Sequence, residues 1–66
     1  MRLIRVTSES GASIYIDAEK IIEILAGKDA RDRIGTYVTI EGATRSRWVH
    51  EDLETVKKLI EKEAPK

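Results

Sequence analysis

Apolar residues in this chain change their period once, and that change bounds what it can fold into. From Arg2 to His50 they come in short alternating runs broken by Gly, Ser and Asp; from Leu53 onward they recur every three or four residues. Alternation marks half-buried strands, and a three-to-four spacing marks one face of a helix. The pattern predicts an α+β domain: a small antiparallel sheet of four or five strands with one C-terminal amphipathic helix.

Size and composition sharpen this. At 66 residues there is room for a single domain, 1–66, with 64–66 as a frayed tail. A chain this short buries only roughly 60% of the surface its unfolded form exposes. It has no cysteine, so no disulfide supports the core. The core must be aliphatic, with nine Ile, no Phe, and Tyr15, Tyr37 and Trp48 as the aromatics. β-Branched side chains of this kind suit strands. Self-association is a natural supplement to so small a core.

The charges cancel, with 12 basic and 12 acidic residues, so no global field draws nucleic acid or an anionic membrane. The opening MRLIRVTSES is too short an apolar stretch for a signal peptide, and no run approaches the ~18 apolar residues that span a bilayer. A cytoplasmic protein without membrane attachment is the expectation.

Locally, RLIRVT at 2–7, the turn formers SESGAS at 8–13 and the run SIYID predict a β-hairpin. The next stretch, AEKIIEILAG at 18–27, fits helix and strand templates. The preferred reading is mixed: Asp17 caps one helical turn through Lys20, and IIEIL then runs as a strand to Gly27. KDARDRIG at 28–35 alternates charge without apolar periodicity and reads as a solvated, mobile connection. TYVTI at 36–40, a Glu41-Gly42 turn and ATRSRWVH at 43–50 predict a second hairpin. Asp52 is placed to cap a helix over about 53–63, with Leu53, Val56, Leu59 and Ile60 facing the sheet and Pro65 beyond its end. Glu54 and Lys58 stand in the favourable order for a pair one turn apart.

Catalytic chemistry finds little to work with. Nucleophilic catalysis needs a nucleophile, a base and an orienting group within reach of one another. The sole histidine is His50, and Ser8, Ser10 and Ser13 lie in a predicted turn. His50, Glu51 and Asp52 are consecutive, and on an extended strand neighbours point to opposite faces, which disfavours convergence on a metal. His50 reads as a surface residue at a strand end. Asp29 and Asp32 each sit beside an arginine and read as locally neutralised. The four glycines are scattered, with no phosphate-cradling loop. The chain is expected to be no enzyme, with no catalytic residue, cofactor or metal.

Two binding readings remain. The first is a protein-interaction module, pairing with itself as a homo-oligomer and with an unidentified protein, through Tyr37, Trp48 and Val49 near the strongly β-prone 36–40 run. The second is RNA or DNA binding through Arg45 and Arg47. Alternation sets these two arginines on one face and Trp48 on the other, so a single stacking-plus-phosphate platform would need an oligomeric sheet.

Several segments carry a resemblance: Ile4-Arg5-Val6-Thr7, Tyr15 through Ile24, Val38 through Gly42, and Val49-His50-Glu51 followed by an acidic helix start and Val56. Taken together they resemble the small FlbD/SwrD-type flagellar and swarming-motility proteins and their bacterial and phage-encoded relatives. That resemblance implies a non-enzymatic regulatory or accessory protein, with no catalytic residues to carry over. KDARDRIG is longer than the family's usual central connection, and the tail is shorter than usual. The chain's two ends, with Val49-His50 before the helix, are also similar to the carbon storage regulators, small RNA-binding dimers, although the glycine and basic pattern of their early strands is missing. RNA binding through Arg45 and Arg47 with the N-terminal Arg2 and Arg5 therefore rests on the basic patch alone.

Overall fold

A computed structural model describes residues 2–63. Five strands and one helix follow in chain order: β1 Leu3–Thr7, β2 Ser13–Asp17, a 3₁₀ turn Ala18–Lys20, β3 Ile21–Lys28, β4 Ile34–Ile40, β5 Arg47–Val49 and α1 Leu53–Glu63. The α+β class holds. The predicted tail 64–66, with Pro65, lies outside the described residues.

β1 and β2 form one antiparallel sheet, and β3, β4 and β5 a second in the order β3-β4-β5. An antiparallel bridge between Ser8 and Val49 joins them, and the His50 N–H donates to the Thr7 carbonyl at 2.9 Å. At the other side, Asp17 turns the chain from one sheet into the next. Its Oδ1 accepts from the Glu19 N–H at 3.0 Å, capping the 3₁₀ turn, and from the Arg2 N–H at 3.2 Å. The mixed reading of residues 18–27 is what forms.

The core lies between the sheets and the helix. Ile4, Val6 and Ile16 come from the first hairpin, Val38 and Val49 from the second sheet, and Val56 from α1. Burying each such side chain contributes about 1.5–3 kcal/mol. Asp52 starts the helix, its Oδ1 accepting from the Thr55 N–H at 2.8 Å. Glu54 and Lys58 form no ion pair; among the described residues the pairs are Lys28–Asp32 and Arg33–Asp29. Exposed i, i+4 pairs contribute little, so the helix is held by its apolar stripe.

Two predicted segments differ. Residues 28–35 are no loose connection, because β3 and β4 run through both ends and 29–33 make a closed hairpin loop. Asp29 donates its N–H to the Arg33 carbonyl at 3.0 Å and accepts the Asp32 N–H at 3.0 Å, with Asp32 at φ 65°. The 43–50 return strand, in turn, pairs only over 47–49. Ile40 to Ala43 is a hydrogen-bonded turn with positive φ only at Gly42, the type II pattern. Such a turn does not match the twist of a hairpin, so pairing resumes only at Val38 opposite Arg47.

Candidate functional site

The second sheet has two unlike faces. Thr36, Val38 and Val49 point into the core, while Leu25, Gly27, Gly35, Tyr37 and Trp48 share the outer face by register. Trp48 is nonetheless only 6% exposed. Gly35 makes room for it, since a Cβ there would collide with the Trp48 ring and the Val49 carbonyl oxygen. Its indole N–H donates to the Gly27 carbonyl at 3.2 Å. The His50 ring meets it edge-on at 4.8 Å.

The loop 29–33 roofs this indole. Arg33 lies with its guanidinium carbon 5.4 Å from the Trp48 ring centroid, a cation–π placement. The Asp29 carboxylate, 1% exposed, holds Arg33 in place. It accepts from Arg33 Nε at 2.8 Å, Arg33 Nη2 at 2.6 Å, and the N–H groups of Arg33 at 2.8 Å and Arg31 at 3.0 Å. Burial pushes the Asp29 pKa up, but the Arg33 side chain and these backbone donors outweigh it, so the net shift is downward.

Beside this stack runs an open groove of about 910 Å³. Arg31, Arg33, Arg45 and Arg47 line it, with Tyr37 and Trp48 and the hydroxyls of Ser8, Ser10 and Ser46. Glu9 and Asp29 are its acidic members. Within β5, Arg47 and Trp48 do alternate, yet the strand is three residues long and ends at the groove, so Arg45, Arg47 and Trp48 all border it. The fold thus brings together groups that alternation alone separates. Arg45 belongs to the 41–46 loop and not to a strand.

The predicted interface residues separate. Val49 is fully buried and Trp48 nearly so, and both serve the chain's own packing. Tyr37 is half-buried over Gly27 and opposite Leu25, its hydroxyl donating to the Lys28 carbonyl at 2.8 Å. His50 Nε2 lies 3.4 Å from the Glu9 carbonyl, so the backbone, not a serine hydroxyl, is its hydrogen-bond neighbour. No group of three or more His, Asp or Glu converges among the described residues.

Sequence reasoning missed Arg31, Arg33 and Glu51. Arg33 carried one usable signal, its i+4 spacing from Asp29 ahead of Gly35. Glu51 carried none, because its partner Thr7 lies 44 residues away.

No helix among the described residues is long and apolar enough to cross a membrane. No family model, curated protein or solved structure matches the chain at a significant level.

Proposed function

We propose that this protein is a non-enzymatic accessory or regulatory module of the cytoplasm that works by protein–protein contact, pairing with a second copy of itself along the edge of β3. One observation carries the reading. Among the described residues the outer edge of β3 has no strand beside it, and Ile22 and Leu25 stand 68% and 60% exposed there. Unpaired strand edges recruit other strands unless blocked. A register shift between Ile21 and Glu23 blunts the start of the edge and leaves residues 23–28 open.

The residues favour one register. Antiparallel pairing keeps every side chain on its own face, so partner positions must have the same parity. Centring on Leu25 sets the two leucines opposite each other, Ile24 against Ala26 and Glu23 against Gly27. Sliding by two in either direction takes the two leucines out of opposition and sets Leu25 against Gly27 or Glu23 instead. Tyr37, next to Leu25 on the same face, widens the apolar contact. The resemblance to FlbD/SwrD-type proteins supports a regulatory rather than catalytic role, and the absence of cysteine suits a reducing compartment.

Sedimentation velocity across the micromolar range tests this. The wild type is expected to shift from monomer to dimer, and Leu25→Lys to remain monomeric with unchanged circular dichroism. A wild type that stays monomeric throughout, or a Leu25→Lys variant that still dimerises, overturns the proposal.

A further inference from the structure

We infer that the arginine-lined groove beside Trp48 is a binding site for the phosphodiester backbone of single-stranded nucleic acid. This is independent of the β3 edge.

The first support is unspent charge. Of the four groove arginines, only Arg33 is neutralised, by Asp29. The guanidinium groups of Arg31, Arg45 and Arg47 make no hydrogen bond or ion pair with any described residue. Three forked cationic donors therefore open on one concavity, opposed by the single carboxylate of Glu9. Guanidinium suits phosphate because its planar fork donates two parallel N–H bonds to the anion's oxygens. The hydroxyl of Ser10, on the same wall, can add a neutral donor.

The second support is preorganisation. Asp29 and the indole hold the Arg33 guanidinium in place, with 36% of its side chain exposed. A guanidinium plane held this way can stack on a nucleobase whatever its identity. The Trp48 ring itself is covered and offers no platform, and Tyr37 is held over Gly27. Recognition would then rest on phosphate contact with stacking at one point, which is tolerant of sequence. A concave groove admits a strand that can bend into it, whereas a rigid duplex reaches only the rim.

The net charge of zero does not oppose this, since four arginines are gathered at the groove while the helix α1 balances its own acidic and basic residues. It does predict that binding is weak at physiological salt, because a patch of three cations lacks the long-range field of a basic protein.

The test is fluorescence anisotropy with a labelled short oligouridylate, titrated over a range of salt concentrations. For single strands each phosphate contact contributes about −0.7 to the slope of log K against log salt. Three contacts predict a slope of about −2, falling to about −0.7 for Arg45→Ala with Arg47→Ala, with affinity at low salt reduced about tenfold or more. Those two side chains make no hydrogen bond or ion pair with any described residue, so the variant should melt as the wild type does. A same-length duplex should bind more weakly. The inference is overturned if the oligonucleotide fails to bind at low salt, if the double variant keeps its affinity and slope, or if a phosphorylated peptide binds where the oligonucleotide does not.

Discussion

Glu51 grips Thr7 with both carboxylate oxygens, Oε1 accepting the Thr7 N–H at 2.8 Å and Oε2 the Thr7 hydroxyl at 2.9 Å. Its own carbonyl accepts from the hydroxyl of the fully buried Thr36 at 2.8 Å. One residue thus ties the end of β1 to β4 at the point where β5 hands over to α1, and it stands where the two sheets are joined by the bridge from Ser8 to Val49.

Glu51→Ala is therefore expected to destabilise by about 1–3 kcal/mol, since a half-buried N–H and hydroxyl lose a charged acceptor. For a domain of this size that is a drop in Tm of several degrees per kcal/mol. Thermal melts followed by circular dichroism check it, and an unchanged Tm would show that water replaces the carboxylate at no cost.

Gly35→Ala should cost more than an ordinary overpacking change of about 1–3 kcal/mol. The new methyl meets the Val49 carbonyl as well as the Trp48 ring, and backbone yields less than a side chain. Trp48 is the sole tryptophan, so its emission reports on the collision. The expected result is a red-shifted spectrum as the indole is pushed from under Arg33; wild-type emission with wild-type stability would contradict the packing described.

Acid should unfold the protein through three aspartates. Hydrogen bonds from the Glu19 N–H lower the Asp17 pKa and those from Thr55 lower that of Asp52, while for Asp29 the donors overcome burial. Each folded value lies below the ordinary 3.8. A depressed folded pKa contributes stability that is present above the unfolded value and lost as pH falls through the folded one. Tm should be flat from neutrality to about pH 5 and fall below about pH 4. Asp29→Asn should melt lower at neutral pH and show a shallower acid decline; parallel profiles for the two proteins would exclude the Asp29 contribution.

Arg2 presents the opposite case. Its Nε and Nη1 are buried without a hydrogen-bond partner. An unsatisfied buried donor costs about 1–3 kcal/mol. Arg2→Met keeps the unbranched stem and removes the stranded donors, so urea titration should show equal or greater stability. A clear loss would mean that the guanidinium finds an acceptor in solution.

The elements themselves were legible because their causes are local. Alternation placed β1 and β2, β-propensity placed β4 from Thr36 onward, the Asp17 cap marked the 3₁₀ turn, and the Asp52 cap with its apolar stripe marked α1 within a residue. The start of β5 was not legible, since splaying after Gly42 depends on how a type II turn meets the sheet twist.

What the sequence determined by itself, then, is the list of hairpins, turns and the helix, because hydrogen bonds and side-chain period act over a few residues. The tertiary structure alone decided which of these residues meet. Thr7 and Glu51 are 44 positions apart, and Gly27 and Trp48 are 21 apart. Whether Trp48 faces a partner or lies beneath Arg33, and whether four arginines scatter or border one groove, is set by how two sheets fold across a shared core, and no local pattern encodes that.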